Sequence, residues 1–209
     1  MPRKRAIIRS AQDLFSRHGY RAVTLRDIAK EAGVSLTLVN HHFGTKLDLF
    51  EAIIRDWRAE VMANLHLVRD TPRQDDQQKG ITAVVESLVT YLDALRLSPK
   101  GPQLVWVNIR NRHDDDLAVR ALVRGLFNPI ADCFVVALGR QIPTAAADEL
   151  IELYQYVRGA LVEYLALPEG RVADTDRARL TCFLVGGLRS TLTAPPTPDD
   201  PLVTNAKNS

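Results

Sequence analysis

The chain has few of the residues that stabilise small secreted proteins. Only two of its 209 residues are cysteine, Cys133 and Cys182, and they lie in separate apolar stretches without the spacing of metal ligands. Two distant cysteines do not make a disulfide framework, so we expect a reducing compartment in which both thiols pack inside helices. The alternative for this pair is a redox sensor.

The sequence also lacks an apolar run that would predict a membrane-spanning segment. No uninterrupted apolar run reaches about 18 residues, the length that suggests a membrane span. The basic start, residues 1–5, is not followed by an apolar signal segment. These absences predict a soluble cytoplasmic protein with no membrane partner.

Charge is nearly balanced overall but unevenly distributed. The formal net charge is +2, yet residues 1–55 carry ten Lys/Arg against five Asp/Glu, and the rest carry 17 against 20. The basic segment favours a partner with phosphate groups, because neutralised phosphates supply most non-specific affinity for DNA. Ordinary surface charge is the alternative. Arg3, Lys4 and Arg5 are interpreted either as an arm that follows DNA or as a disordered start.

Two short helices separated by a glycine turn are predicted between residues 24 and 43. Thr24 can cap the first helix, and Asp27 completes a capping box. Gly33 stands where a helix end favours left-handed backbone, and Ser35 can cap the second helix. The apolar residues that stripe the first helix are Leu25, Ile28, Ala29 and Ala32. Two helices that meet at such a turn are typical of a DNA-binding helix-turn-helix.

Further amphipathic helices surround this pair. An upstream helix ends at Gly19, and a long downstream helix begins at a second capping box, Thr45 with Asp48, and runs to about Leu65. Beyond it, apolar stripes and Pro/Gly punctuation predict five more helices. They cover roughly 81–95, 104–112, 116–138, 144–167 and 174–192. Pro129 lies inside the third of these, where we expect a kink that opens a cavity.

The prediction is therefore an all-α fold of about nine helices. Residues 1–50 form a three-helix, helix-turn-helix DNA-binding domain, with the fourth helix linking to the body. Residues 51–193 form a helical body, and residues 194–209 form a disordered tail because they are rich in proline and poor in apolar residues.

Residue types at fixed spacing in the first quarter of the chain resemble the tetracycline-repressor (TetR) family over roughly residues 5–55. The residues that carry the resemblance are Ala11, Leu14, Phe15, Gly19, Tyr20, Thr24, Ile28, Ala29, Ala32, Gly33, Val34, Ser35, His41, Phe43, Lys46 and Leu49. The remainder is similar to the family only in length and helical character. The resemblance implies a ligand-responsive repressor, or alternatively an activator, that binds a palindromic operator and is released by a small-molecule effector.

Counted along the chain, the helix capped by Thr24 is the second, the helix capped by Ser35 is the third and the helix capped by Thr45 is the fourth. Candidate DNA contacts lie at the start of the second helix, on the outer face of the third and at the start of the fourth. They are Thr24, Arg26, Ser35, Leu36, Thr37, Asn40, His41 and Lys46. Arg26 can donate two hydrogen bonds to guanine, and Thr37 can meet a thymine methyl or a phosphate. Asn40 departs from the tyrosine usual in the family and can bind adenine N6 and N7. We expect His41 and Lys46 to bind phosphates.

Simpler interpretations exist for several of these residues. Thr24 and Ser35 act first as helix caps, and Arg26 can be a solvated surface residue. The adjacent pair His41 and His42 suggests metal, but side chains about 100° apart on a helix with no partner ligand do not form a site. No metal and no cofactor is expected.

The resemblance also implies that the helical body, residues 51–193, is an effector-binding and dimerisation domain with a ligand cavity. Candidate lining residues around the helix that contains Pro129 are Tyr91, Trp106, Asn108, Arg110, Phe127 and Tyr154, each of which could instead be core or surface. The mixture of apolar and polar groups from Trp106 to His113 indicates an amphipathic or anionic effector.

The resemblance implies homodimerisation through the last two long helices, which pack as a four-helix interface in the family. Their apolar stripes are wider than one core needs, and Gly186 and Gly187 allow close backbone approach, although simple core helices are the alternative. Two reading helices related by a two-fold axis also bind half-sites about 34 Å apart.

The sequence raises two other classes of function, an enzyme and a protein-interaction adaptor. An enzyme is not expected, because we find no nucleophile motif, no glycine-rich phosphate loop and no metal-ligand set. Asp114 to Asp116 have a sufficient explanation as a helix start. The alternative function is a helical protein-interaction adaptor of the same fold without specific DNA binding, since Asn40 replaces the usual aromatic residue.

Overall fold

The computed structural model describes residues 2–167 and 174–193, and these form ten helices. The helices are α1 (Pro2–Ala22), α2 (Leu25–Glu31), α3 (Leu36–Phe43), α4 (Lys46–Met62), α5 (His66–Arg69), α6 (Gln77–Arg96), α7 (Gly101–Asn111), α8 (Leu117–Gln141), α9 (Ala147–Leu165) and α10 (Asp174–Thr193). The all-α prediction is confirmed. The segment predicted to be a disordered tail, 194–209, lies outside the described residues.

The additional short helix α5 arises because the chain breaks where a single long helix was predicted. α4 ends at Met62, and Asn64 takes the left-handed backbone conformation with φ of 60°. Asparagine tolerates this region better than most residues, so the chain turns there. The single turn α5 then follows and buries Val68 beside Leu65. The apolar pattern through Leu65 identified buried residues correctly but not the break between them.

The head consists of α1, α2 and α3 packed against the start of α4. Gly19 interrupts α1 with φ of 80° and ψ of 163°, in agreement with the predicted helix stop. The rings of Phe15, Tyr20 and Phe50 meet behind this break with centroids 5.1 to 5.7 Å apart. This aromatic cluster joins α1 to α4 and holds the head on the body.

The body is built around α6 and α8. α6 buries residues along most of its length, and α8 packs against α4, α5, α6 and α9. α8 continues through Pro129 to Gln141, three residues beyond the predicted end. α10 packs on α6 and α9 and covers one side of the bundle.

Within the described ranges, α8 is the one helix that length and composition would allow to cross a membrane, with a mean hydropathy of 1.6 in its most apolar window. The sequence-based expectation concerned uninterrupted apolar runs, and Arg120, Arg124 and Asp132 interrupt the run in α8. Val123, Phe134 and other apolar residues of α8 are buried in the bundle. A single helix of this kind is weak evidence for a membrane span, and 33% of its most apolar window is buried.

Candidate nucleic-acid interface and ligand cavity

A reciprocal cap fixes the start of α2. The backbone N–H of Thr24 donates to Asp27 Oδ2 at 2.9 Å, and the N–H of Asp27 donates to Thr24 Oγ1 at 3.2 Å. The hydrogen bonds from Thr24 hold the pKa of the Asp27 carboxyl below its usual range. The predicted capping box is confirmed, and it leaves the Thr24 side chain at the protein surface.

The turn between α2 and α3 depends on Gly33. Its φ is 64°, a conformation that most residues avoid. The N–H of Val34 donates to the carbonyl of Ala29 at 2.9 Å, and Ser35 Oγ accepts from the N–H of Leu38 at 3.2 Å. These contacts set α3 at a fixed angle to α2.

α3 presents a short polar surface. Thr37, Asn40 and His41 are exposed, whereas Val39 is fully buried in the head. Leu36, predicted to face outward, is half-buried and packs against the core. The outward face of α3 is therefore narrower than predicted and consists chiefly of three polar side chains.

The start of α2 adds one basic residue beside that face. Arg26 is exposed and has no ion-pair partner in the described part of the chain. Arg3, Lys4 and Arg5 are exposed as well, but they belong to α1 and do not form an extended arm. The Lys4 ammonium lies 5.6 Å from the centroid of the Phe43 ring at the end of α3.

Lys46 is engaged inside the head. Its Nζ donates to the carbonyls of Tyr20 and Val23, both at 2.9 Å, and lies 4.1 Å from the centroid of the Tyr20 ring. Burial lowers the pKa of Lys46, while the nearby Asp114 and Asp116 act in the opposite direction. These contacts form an internal tie between α4 and the end of α1, and the phosphate role of Lys46 stays a prediction. No signal in the local sequence indicates this contact.

The body contains an apolar chamber of about 50 Å³. It is lined by Leu92, Leu95, Leu104, Val105, Asn108, Phe127, Ile130, Tyr154, Arg158, Leu161, Val162 and Leu165. Of the six predicted lining residues, Asn108, Phe127 and Tyr154 lie here. Burial raises the pKa of the Tyr154 phenol, so this group is a neutral hydroxyl at physiological pH.

A wider space of about 350 Å³, here called the vestibule, adjoins the chamber. Its lining is Asn108, Arg112, His113, Arg120, Val123, Arg124, Phe127, Asn128, Ala131, Tyr154, Gln155 and Arg158. Asn108, Phe127, Tyr154 and Arg158 line both spaces. The arginines were missed by sequence reasoning, because they come from the residue after α7, from α8 and from α9, and only folding brings them together.

The other three predicted lining residues lie elsewhere. Tyr91 is buried in the core and donates its hydroxyl to the carbonyl of Val61 at 2.6 Å. Trp106 is 41% exposed, and the Arg110 guanidinium lies 5.2 Å from its ring centroid. Both project from the side of α7 that faces away from the chamber, since helical residues two positions from Asn108 do not share its face.

α7 also holds the head. Arg110 Nε donates to the carbonyl of Ser16 at 3.0 Å, and Asn111 Oδ1 accepts from the N–H of Tyr20 at 2.7 Å. Arg21 forms an ion pair with Asp115 just beyond α7. α7, which lines the chamber, thus contacts α1, which ends just before the helix-turn-helix.

Within residues 2–167 and 174–193, no group of three or more His, Cys, Asp or Glu side chains is placed to hold a metal ion. The rings of His41 and His42 lie 5.6 Å apart at their centroids. Cys133 is half-buried, whereas Cys182 is exposed, contrary to the packing role predicted for it.

Comparison with known proteins agrees with this architecture. Residues 7–53 match the family model described as bacterial regulatory proteins, tetR family. The chain is 39% identical over 67 residues to the HTH-type transcriptional regulator BetI of Agrobacterium fabrum, a match that spans 30% of this chain and 32% of BetI. It is 28% identical over 173 residues to the HTH-type nicotine-responsive transcriptional repressor HdnoR of Paenarthrobacter nicotinovorans, spanning 79% of this chain and 85% of the repressor.

Solved structures share the fold. The TetR family transcriptional regulator PfmR from Thermus thermophilus superposes with a TM-score of 0.57 at 18% identity, over 85% of this chain and 96% of PfmR. Fold similarity covers the body, while the family match lies in the head. The family-model match, the relatives named as HTH-type transcriptional regulators and the shared fold together support a DNA-binding transcriptional regulator of the tetR family.

Proposed function

We propose that this chain acts as a homodimeric repressor that binds a palindromic operator in the cytoplasm. The observation that carries the proposal is the outer face of α3, where Thr37, Asn40 and His41 are exposed on a helix fixed by caps at both α2 and α3. A short helix with exposed polar side chains fits the major groove, where base edges are distinguished by hydrogen bonds.

Each residue has a chemical role in this proposal. Asn40 binds an adenine edge and Arg26 a guanine edge, because an amide and a guanidinium each match two groups on those bases. Thr37 contacts a thymine methyl or a phosphate. His41, Thr24 and the exposed basic residues at the start of α1 bind the backbone and set the register.

The partner in the dimer is a second copy of this chain, bound through α9 and α10. Tyr156 and Phe183 are 76% and 70% exposed, and Ile151 is 49% exposed. Gly186 and Gly187 are exposed as well, and a Cβ atom added at either would meet nothing within 4 Å. Such a surface suits the close approach of a partner helix, and a two-fold axis supplies the second half-site reader.

Effector binding in the chamber and vestibule is proposed to release the operator. α7 contributes Leu104 and Asn108 to the cavity lining and uses Arg110 and Asn111 to hold α1. A ligand that moves α7 therefore moves the head. Release requires the ligand to bind the DNA-incompetent state more tightly, with a coupling typically of about 1–3 kcal/mol.

Family members are generally non-enzymatic, and we infer that this chain has no catalytic activity. The first experiment is selection of bound duplexes from a random DNA pool by the purified protein. The enriched sequence is then titrated with wild type, Asn40→Ala and Arg26→Ala, with Arg73→Ala as a control on an exposed loop.

Enrichment of a palindrome, with each variant losing discrimination at one position in both half-sites, supports the proposal. Arg73→Ala is expected to behave as wild type. If no sequence is enriched and only weak, salt-sensitive retention remains, specific recognition has been lost. The adaptor function then becomes the better interpretation, in line with Asn40 at a position usually held by tyrosine.

A further inference from the structure

We propose that the cavity in the body binds an amphipathic anion, with an apolar group in the chamber and a carboxylate or phosphate group in the vestibule. The proposal rests on the proposed function in taking this cavity as the effector site. It adds the chemical class of the ligand and the residues that select it.

The two spaces share four lining residues but differ in chemistry. Apart from Asn108, Tyr154 and Arg158, the chamber is lined by Leu, Val, Ile and Phe side chains. Its volume of about 50 Å³ accepts the end of a short apolar chain but not a whole ligand. The vestibule, at about 350 Å³, lies within the size range of small-molecule sites, roughly 300–1,000 Å³.

Four arginines converge on the vestibule. Arg112 follows α7, Arg120 and Arg124 lie one turn apart on α8, and Arg158 lies on α9. None of the four pairs with an acidic side chain in the described ranges, and Arg158 Nε donates only to Gln155 Oε1 at 3.2 Å. Guanidinium groups around one space repel one another, and an anion between them removes that repulsion.

One of these guanidinium groups also has an unfilled hydrogen-bond donor. Arg112 Nε is buried and has no acceptor among the described residues. A buried N–H without an acceptor is costly, so such groups are normally paired. Arg112 lines the vestibule, and carboxylates and phosphates there would match the planar donor edge of its guanidinium.

The residues shared by both spaces orient the ligand. Arg158, Asn108 and Tyr154 line the chamber as well as the vestibule, so they lie where an apolar chain would join its anionic end. A ligand with the charge at one end and the chain at the other satisfies both spaces at once. A small anion or a neutral chain satisfies only one.

Calorimetric titration of the full chain tests the ligand class with four probes. Octanoate and octyl phosphate carry both features, octanol lacks the charge and inorganic phosphate lacks the chain. We expect at least one octyl anion to bind ten or more times as tightly as octanol and inorganic phosphate. The comparison of the two octyl anions decides between a carboxylate and a phosphate source.

Chain length gives a second readout. Over shorter homologues of the better anion, each methylene that enters the chamber is expected to tighten binding about fourfold, and the gain stops once the chamber is filled. Octanol binding as tightly as both octyl anions, or no binding by either octyl anion, would overturn the proposal.

Variants assign the charge recognition to the vestibule. Arg120→Gln with Arg124→Gln, and separately Arg112→Gln, are expected to weaken anion binding about tenfold or more without changing octanol binding. Arg158→Lys keeps the charge but loses the forked donor, and an intermediate loss is expected. Arg73→Gln, on an exposed loop, is the matched control. Unchanged anion affinity in all three vestibule variants, with circular dichroism matching wild type, contradicts the proposal.

Operator binding separates this inference from the proposed function. The selected duplex is titrated with and without the tighter octyl anion. If the anion binds but leaves operator affinity unchanged, the ligand class stands and the release mechanism fails. If the protein binds a palindrome but no octyl anion, the regulator function stands and the ligand class fails.

Discussion

The backbone N–H of Tyr20 in the head donates to Asn111 Oδ1 at the end of α7, at 2.7 Å. The Asn111 side chain is fully buried, and its Nδ2 donates to the carbonyl of Val107 at 2.8 Å. One side chain thus connects the backbone of the head with the backbone of the helix that lines the cavity. Because both groups are buried, water does not readily satisfy the N–H of Tyr20 or Asn111 Oδ1 when this hydrogen bond is lost.

Asn111→Ala is expected to lower the free energy of unfolding and to loosen the head. The N–H of Tyr20 loses its acceptor, and a buried unpaired donor costs about 1–3 kcal/mol. Urea unfolding measures this loss. Arg21→Gln removes the exposed ion pair with Asp115 at the same junction and serves as control, with an expected change of about 0–1 kcal/mol. Equal effects of the two variants would contradict the role given to Asn111.

Lys46→Ala is expected to affect stability more than DNA binding. The variant leaves the carbonyls of Tyr20 and Val23 without their donor, and hydrogen bonds to a charged group contribute about 1.5–3 kcal/mol. The salt dependence of operator binding is expected to stay that of wild type. Unchanged stability with a salt slope reduced by about 1 would instead identify Lys46 as a phosphate contact.

Stability is expected to fall in acid through the two capping boxes. Hydrogen bonds from Thr24 lower the pKa of Asp27, and those from Thr45 lower the pKa of Asp48. A carboxyl whose pKa is lower in the folded state adds stability above its unfolded pKa, near 4, and loses it as pH falls through the folded pKa. The variant Asp27→Asn with Asp48→Asn keeps an acceptor but does not titrate, so unfolding free energies below about pH 4 should decline less steeply. An unchanged slope would exclude these two groups as its source.

Gly33→Ala is expected to destabilise the helix-turn-helix. The backbone conformation at φ 64° costs a residue with a Cβ roughly 1–2 kcal/mol. Because no atom lies within 4 Å of the added Cβ, the whole cost comes from the backbone. Gly125→Ala, inside α8 and equally open, is expected to stabilise by about 0.5–1 kcal/mol. Thermal unfolding of both variants should therefore shift in opposite directions, and a shift in the same direction would contradict this assignment.

Phe183→Glu is expected to shift the protein toward monomer. The Phe183 side chain is 70% exposed on α10, where the partner is proposed to pack, and a charge buried there would be unpaired. Sedimentation equilibrium measures the change. Leu97→Glu alters a side chain that is 73% exposed but lies after α6, and it should leave the association state unchanged. A dimer unaffected by Phe183→Glu would move the interface away from α10.

Local patterns identified much of the head before folding was considered. Capping at Thr24 and Thr45, and the turn at Gly33, depend on residues within four positions of one another, so sequence spacing is sufficient to predict them. The same holds for the buried stripes of the long helices. Near Asn64, the apolar pattern predicted the buried residues correctly but missed the end of α4, which the left-handed backbone of Asn64 follows.

The vestibule shows the opposite case. Arg112, Arg124 and Arg158 lie at the end of α7, in α8 and in α9, and nothing in their local spacing distinguishes them from solvated arginines. Trp106 and Arg110, by contrast, looked like cavity residues because they combine ring and charge on one short helix. Rotation of α7 about its axis places them toward the head and solvent instead.

The sequence by itself determined the helices, their caps and the polar outer face of α3, because these features follow from interactions between residues close in the chain. Tertiary structure alone decided that Lys46 ties the head internally, that Asn111 joins the head to α7, and that four arginines meet around one cavity. Those contacts depend on how helices rotate and pack against one another, and that arrangement is set by the burial of the whole core and not by any local pattern.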